Sequence, residues 1–227
     1  MCIMHRQMAT SYDIHPSAEL CELFSRMPIP YQGQESGLAR VIFVGLDANY
    51  SAEVFAHDKF RSRILEYHEN GVEFWERHGT HHPFLLDEYP LKKNRGGVPY
   101  HRKFKTMGLS SQYAKYISFV ELLDIPTVGS TAKKRFWELF NPEHAKRLDV
   151  IFNSGEKRLV LLPGSVIRNM QYAKLHYGVF SWMPATTDWG KFHQIGETEF
   201  HKVRHFSSSI TTGELKFMGR LIENHCS

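Results

Sequence analysis

The chain has 227 residues, of which 42% are hydrophobic and 23% charged, proportions that support one packed α/β domain and exclude wholesale disorder. Lys and Arg number 28 against 24 Asp and Glu, a formal charge of +4 that does not by itself mark a binder of polyanions. No apolar run nears the roughly 20 residues of a bilayer-spanning helix. The stretch MCIMHRQMATSYDIHP lacks the apolar centre of a secretory signal, and Cys2, Cys21 and Cys226 are too few and scattered for a disulfide framework or an iron–sulfur cluster. The expected setting is reducing and intracellular.

In chain order, SAELCELFS at residues 17–25 has helical spacing and ends before Pro28 and Pro30. ARVIFVGL at 39–46 is the continuous β-branched and aromatic run of a buried parallel strand, and Asp47-Ala48-Asn49-Tyr50-Ser51 reads as the loop after it. A helix is expected from Ser51, and residues 57–76 read as helical. That stretch carries Glu66, Glu69, Glu73 and Glu76. From Gly79 to Gly108 the chain is rich in Gly, Pro, His and basic residues and reads as a long irregular excursion, a length that in compact domains tends to be functional. Residues 92–105 within it hold six Lys or Arg and no acid, so the basic excess is local, either a footprint for phosphates or a solvated loop.

YISFVELL at 116–123 is a second strand candidate. Pro126, Gly129 and Ser130 close it, with Ser130 a candidate cap for the helix TAKKRFWELF. RLVLL at 158–162 is a third strand, followed by Pro163-Gly164-Ser165 and the helix VIRNMQYAKLHY. FHKVRHF at 200–206 is a fourth, with Ser207-Ser208-Ser209 opening a loop before a C-terminal helix from about Thr212. This alternation predicts an α/β three-layer sandwich with a central, mostly parallel four-stranded sheet, in a single domain spanning 1–227 with the irregular insertion around 79–108. Ligands of such sheets sit at the carboxyl ends of the strands, which makes Asp47–Ser51, Asp124–Ser130 and His205–Ser209 the candidate loops.

Asp47 and His205 each follow such a strand. Together they offer general-base and hydrogen-bond-donor chemistry; singly, Asp47 suits a turn or helix cap and His205 a backbone-satisfied strand end. With their flanks they carry a pattern. Gly45-Leu46-Asp47-Ala48-Asn49-Tyr50, Gly97-Val98-Pro99-Tyr100, Val120-Glu121-Leu122-Leu123-Asp124 with Thr127-Val128, Arg158 to Gly164, and His205-Phe206-Ser207-Ser208 come in the order of five motifs of the uracil-DNA glycosylase superfamily, which the chain resembles over residues 39–210. The first is similar to GQDPYH or GINPG, the last to HPS.

The resemblance implies a monofunctional, cofactor-free and metal-free DNA glycosylase that acts as a monomer on an extruded uracil or other deaminated or damaged base. Asp47 would position water and stabilise an oxocarbenium-like sugar, and His205 would donate to the base oxygen that gains charge. Tyr100 would stack on the base, with Leu46 and Asp124 completing base recognition. Arg95, Arg102, Lys103, Ser207, Ser208 and Ser209 would contact DNA, with Ile210 as a wedge in the vacated stack. Ala48 and Phe206 stand where proline is usual in the family, and Asp124 where it has a base-reading Asn. An ionised Asp124 would pair two adjacent donors, as on a guanine-like edge, and a protonated one would mimic the amide; alternatively, Asp124 caps the turn before Pro126.

Other readings of the chain are a catalytically inactive nucleic-acid- or base-binding member of the same fold, and a small-molecule hydrolase using the same Asp and His. His78, His81 and His82 invite a zinc site but lack the spacing of a helix-borne pair and suit a packed loop better. Lys157-Arg158 and His201-Lys202-Val203-Arg204 are either phosphate contacts or solvent-facing charge. Neither a phosphate-binding Gly-rich motif nor a G-x-S-x-G elbow is present.

Overall fold

The structure, a computed structural model, describes residues 11–94 and 97–227. Strand β1 (Asp13–Ile14) leads into helix α1 (Ala18–Ser25), whose Leu20, Leu23 and Phe24 are buried and whose first turn is capped by Ser17. Strands β2 (Tyr31–Gly33) and β3 (Val41–Gly45) follow, then the short helix α2 (Ala52–Phe55), capped by Ser51. The expected helix at 57–76 is two helices, α3 (Asp58–Glu69) and α4 (Gly71–His78). Asn70 caps the second, and Gly71 packs so tightly on β2 that a Cβ there would lie 2.9 Å from the Gly33 Cα.

The excursion from 79 to 108 is less irregular than the sequence implies. It contains a 3-10 turn at Pro83–Leu85 and a helix, α5 (Val98–Thr106), with proline in its first turn, where a missing N–H costs nothing. Strands β4 (Ile117–Glu121) and β5 (Thr127–Val128) come next, then helices α6 (Lys133–Leu139) and α7 (Pro142–Phe152). Ala132, not Ser130, precedes the first turn of α6, which has no side-chain cap. The chain ends with β6 (Arg158–Pro163), α8 (Gly164–Tyr177), the hairpin of β7 (Gly190–Ile195) and β8 (Thr198–Val203), and α9 (Thr212–Cys226), which opens on a capping box formed by Thr211 and Glu214.

The central sheet has six strands in the order β2-β4-β3-β6-β8-β7, rather than four. The four inner strands are parallel and are the four the sequence marks; β2 and β7 are antiparallel edges. Successive side chains of β3 feed opposite faces. Ile42 and Val44 join the core under α6, α7 and α8, whereas Val41 and Phe43 join the core under α4, α5 and α9. That makes three layers. A smaller cluster joins α1, α2 and α3 to Phe84, Tyr89 and Val98 of the excursion. From β3 the chain moves to one side for β4 and then to the other for β6, so the order reverses at β3 and opens a crevice at the carboxyl ends.

Arg158, a candidate phosphate contact in the sequence, is instead a structural clamp only 2% exposed. Its guanidinium donates to the carbonyls of Gly37, Ala39 and Ile151, to Ser154 Oγ and to the exposed carboxylate of Glu156, over 2.8–3.0 Å. Removing it strands buried acceptors. Arg158→Leu is expected to cost about 3 kcal/mol or more, read as a lower urea midpoint; a midpoint within error of wild type would contradict the clamp.

Candidate functional site

The chain leaving β3 runs alongside the chain leaving β4. Leu122 and Leu123 N–H groups donate to the carbonyls of Gly45 and Leu46, Thr127 N–H donates to Ala48 O, and Tyr50 N–H donates back to Thr127 O. The two-residue ladder of β1 on β5 brings Tyr12 to the same place. Asp47 Oδ2 there accepts from Thr127 Oγ1 at 2.5 Å, Tyr12 OH at 2.8 Å and, more distantly, Asn49 Nδ2 at 3.4 Å. Burial and the Asp47 carboxylate push the Tyr12 phenol far above its ordinary range, so it remains a neutral donor. Asn49 is itself anchored to Gly129 O at 2.8 Å and Thr127 Oγ1 at 3.0 Å. Among the described residues nothing donates to Asp47 Oδ1.

His205, just beyond β8, accepts the Ser207 backbone N–H at Nδ1, which puts the proton of the neutral ring on Nε2. Burial and the charge of Lys103 lower its pKa, so the neutral, donating form prevails. The Tyr100 ring centroid is 5.4 Å from that of His205 and 5.1 Å from that of Phe206. Asp47, Tyr100 and His205 line one cavity of about 510 Å³, together with Leu46, Glu121, Ser165 and Ser207. The three residues the sequence singled out for chemistry thus converge.

Other expected residues fall differently. Asp124 is away from the cavity; its carboxylate accepts from Asn141 Nδ2 at 2.6 Å and lies 4.0 Å from Arg147. The acid that reaches the cavity is Glu121, because β4 ends there and the chain then turns away. Ile210 is half-buried against the core under α9, which does not suit a free wedge. Ser208 folds back on its own loop, its N–H and Oγ donating to His205 O, while its carbonyl accepts from Lys103 Nζ at 2.6 Å; Ser208 and Ser209 are both exposed. Arg102 is exposed on α5, and Arg95 lies outside the described residues. Of the 201–204 stretch, Lys202 donates to Thr187 O and Arg204 pairs with Glu214, and both flank the exposed indole of Trp189.

The histidines serve packing. His82 and His101, both on the cavity wall, stack at 3.5 Å with rings 9° apart, and His81 Nε2 lies 3.2 Å from His101 Nδ1. His78 pairs with Glu66. Among the described residues no group of three or more His, Cys, Asp or Glu is placed to hold a metal ion, no Lys or Arg lines the cavity, and no helix is long and apolar enough to cross a membrane. Sequence reasoning missed Glu121, Tyr12 and Thr127 as parts of the site. Only Glu121 left a local signal, as the one acid ending the apolar run ISFV.

Comparison with known protein families and with curated proteins finds no match.

Burial depresses His68, whose ring is 2.7 Å from the Tyr50 hydroxyl behind the cavity wall, to about 3. Below its unfolded pKa this residue is protonated only in the unfolded chain, so it stabilises the fold at neutral pH and that contribution falls as pH drops from about 6.5 toward 3. His68 alone is expected to remove about 2 kcal/mol between pH 6.5 and pH 5. Urea titrations over that range should show a smaller acid loss in His68→Gln than in wild type; parallel curves would contradict this.

Proposed function

We propose that this chain is a monofunctional DNA glycosylase of the uracil-DNA glycosylase type, hydrolysing the N-glycosidic bond of an extruded uracil or other deaminated or damaged base. The observation that carries the reading is the convergence of Asp47, His205 and Tyr100 on one cavity at the carboxyl end of the sheet. A base turned out of its stack would enter this cavity and lie against Tyr100. Asp47, with Oδ2 fixed by its donors and Oδ1 free, orients a water and faces the positive charge that develops on the sugar. His205 presents its Nε2 proton to a base oxygen that becomes negative as the bond lengthens, a donor set before the reaction starts.

Water, not an amine, suits this site, since no lysine lines the cavity among the described residues and Lys103 is engaged with Ser208. Arg102 and Lys103 follow Tyr100 on α5 and, with the Ser207–Ser209 loop, are the groups that would hold phosphates at the mouth. That no Lys or Arg among the described residues belongs to the lining favours one rival, hydrolysis of a free nucleoside in the same cavity.

Oligonucleotides carrying single uracil, hypoxanthine or alkylated bases, treated with alkali after incubation, should break at abasic sites. Asp47→Asn and His205→Ala are each expected to lower the rate about 10²–10⁴-fold with DNA affinity nearly unchanged. Salt-sensitive binding without cleavage would replace the enzyme by a binding module, and release of base from nucleosides alone would favour the rival.

A further inference from the structure

Glu121 ends β4 directly opposite Gly45 of β3. The missing side chain at 45 makes its space: a Cβ there would lie 2.7 Å from the Glu121 Cδ and 2.8 Å from its Oε1. His144 Nε2 donates to the Glu121 backbone carbonyl at 2.9 Å and fixes the strand end. Oε2 is buried with no hydrogen-bond partner, which leaves Oε1 as the oxygen that the cavity reaches.

Asp47 lines the same cavity, and the two acids are provided for unequally. Three donors converge on Asp47 Oδ2, and no side chain donates to Glu121 among the described residues. When two carboxyls share a site, the proton stays on the one whose charged form is less well solvated. The titratable groups that share the cavity with Glu121 are Asp47, Tyr50, Tyr67, Tyr100 and the imidazoles of His82, His101 and His205, which burial keeps neutral; among the described residues no Lys or Arg joins them to favour its ionisation. Burial first, and then the charge of Asp47, raise the Glu121 pKa well above the usual carboxylate range.

We propose that Glu121 is the acid of this cavity and delivers its proton to a ring nitrogen or exocyclic oxygen of the departing base as the C1′–N bond breaks. This rests on the glycosylase reading above. The water oxygen bonds to C1′, the electron pair of the broken bond leaves with the base, and the proton of Glu121 makes that base neutral. The proton released by the water passes to Asp47, and exchange with solvent then removes that proton from Asp47 and returns one to Glu121. Two carboxyls with opposite protonation thereby divide the acid and base roles. Bases with a basic ring nitrogen free to take the proton, such as N7 of deaminated purines, are the substrates that gain most.

The test is a leaving-group series: oligonucleotides with 5-fluorouracil, uracil, thymine and hypoxanthine, cleaved in single turnover by wild type and Glu121→Gln. The amide keeps the size and a donor but has no proton to transfer. The expected loss is within a few-fold for 5-fluorouracil and rises to about 10²-fold or more for hypoxanthine. An equal loss across the series overturns the acid and leaves the glycosylase reading standing. A wild type that releases none of the four bases overturns this assignment and counts against the glycosylase reading, which abasic-site formation at the alkylated bases tests separately. Independently of turnover, the infrared difference between wild type and Glu121→Gln at neutral pH should contain the carbonyl stretch of a neutral carboxylic acid; a carboxylate pair of bands instead overturns the proposal.

Discussion

Thr127 ties together everything at the carboxyl end of the sheet. It is fully buried, its backbone bonds both ways to the chain leaving β3, and its hydroxyl donates to Asp47 while accepting from Asn49. One residue thereby fixes the path of the loop, the rotamer of the acid and the orientation of the amide beside it. A strand-end loop left to itself samples many conformations, and an acid on it would be poorly aimed. Sharing hydrogen bonds between two such loops turns the pair into a rigid unit, on which β1 then places Tyr12 as a further donor.

The electrostatics of the cavity follow from where donors are supplied. Asp47 has them, three converging on one of its oxygens. The imidazoles of His82, His101 and His205 are held below their ordinary pKa, chiefly by burial, and so add polar walls without adding charge. Among the described residues positive charge is kept off the lining: Lys103 grips the Ser208 carbonyl, and Arg158 is spent on the far end of the sheet binding loop carbonyls. The cavity thus sets a carboxyl group held by three donors in one wall and neutral imidazoles in another.

The parallel strands were legible because burial on both faces forces uninterrupted apolar runs, as in VIFV and RLVLL. The edges were not. YQG is too short to show a period, and GKFHQI mixes exposed polar residues with half-buried ones, so neither stands out from a loop. The helix break at Asn70-Gly71 is set by contact with Gly33, nearly forty residues away in sequence, which no local pattern records. Within the site, Asp47 and His205 were readable because the ends of buried strands are few. Asp124 lies away from the cavity for a related reason: the motif suggests a register, but only the last hydrogen-bonded pair of β3 and β4 decides whether residue 121 or 124 faces the crevice. Tyr12 and Thr127 act through separations of 35 and 80 residues from Asp47 and have no local mark at all.

The contact between Gly45 and Glu121 also constrains how this protein can diverge. A side chain at 45 would overlap the carboxyl group opposite as it is now placed. A lineage that acquires alanine or serine there must turn the Glu121 carboxyl out of its present position or shorten residue 121. The two positions are therefore coupled through one volume, and a side chain following the VIFV strand would change where this carboxyl points in the cavity.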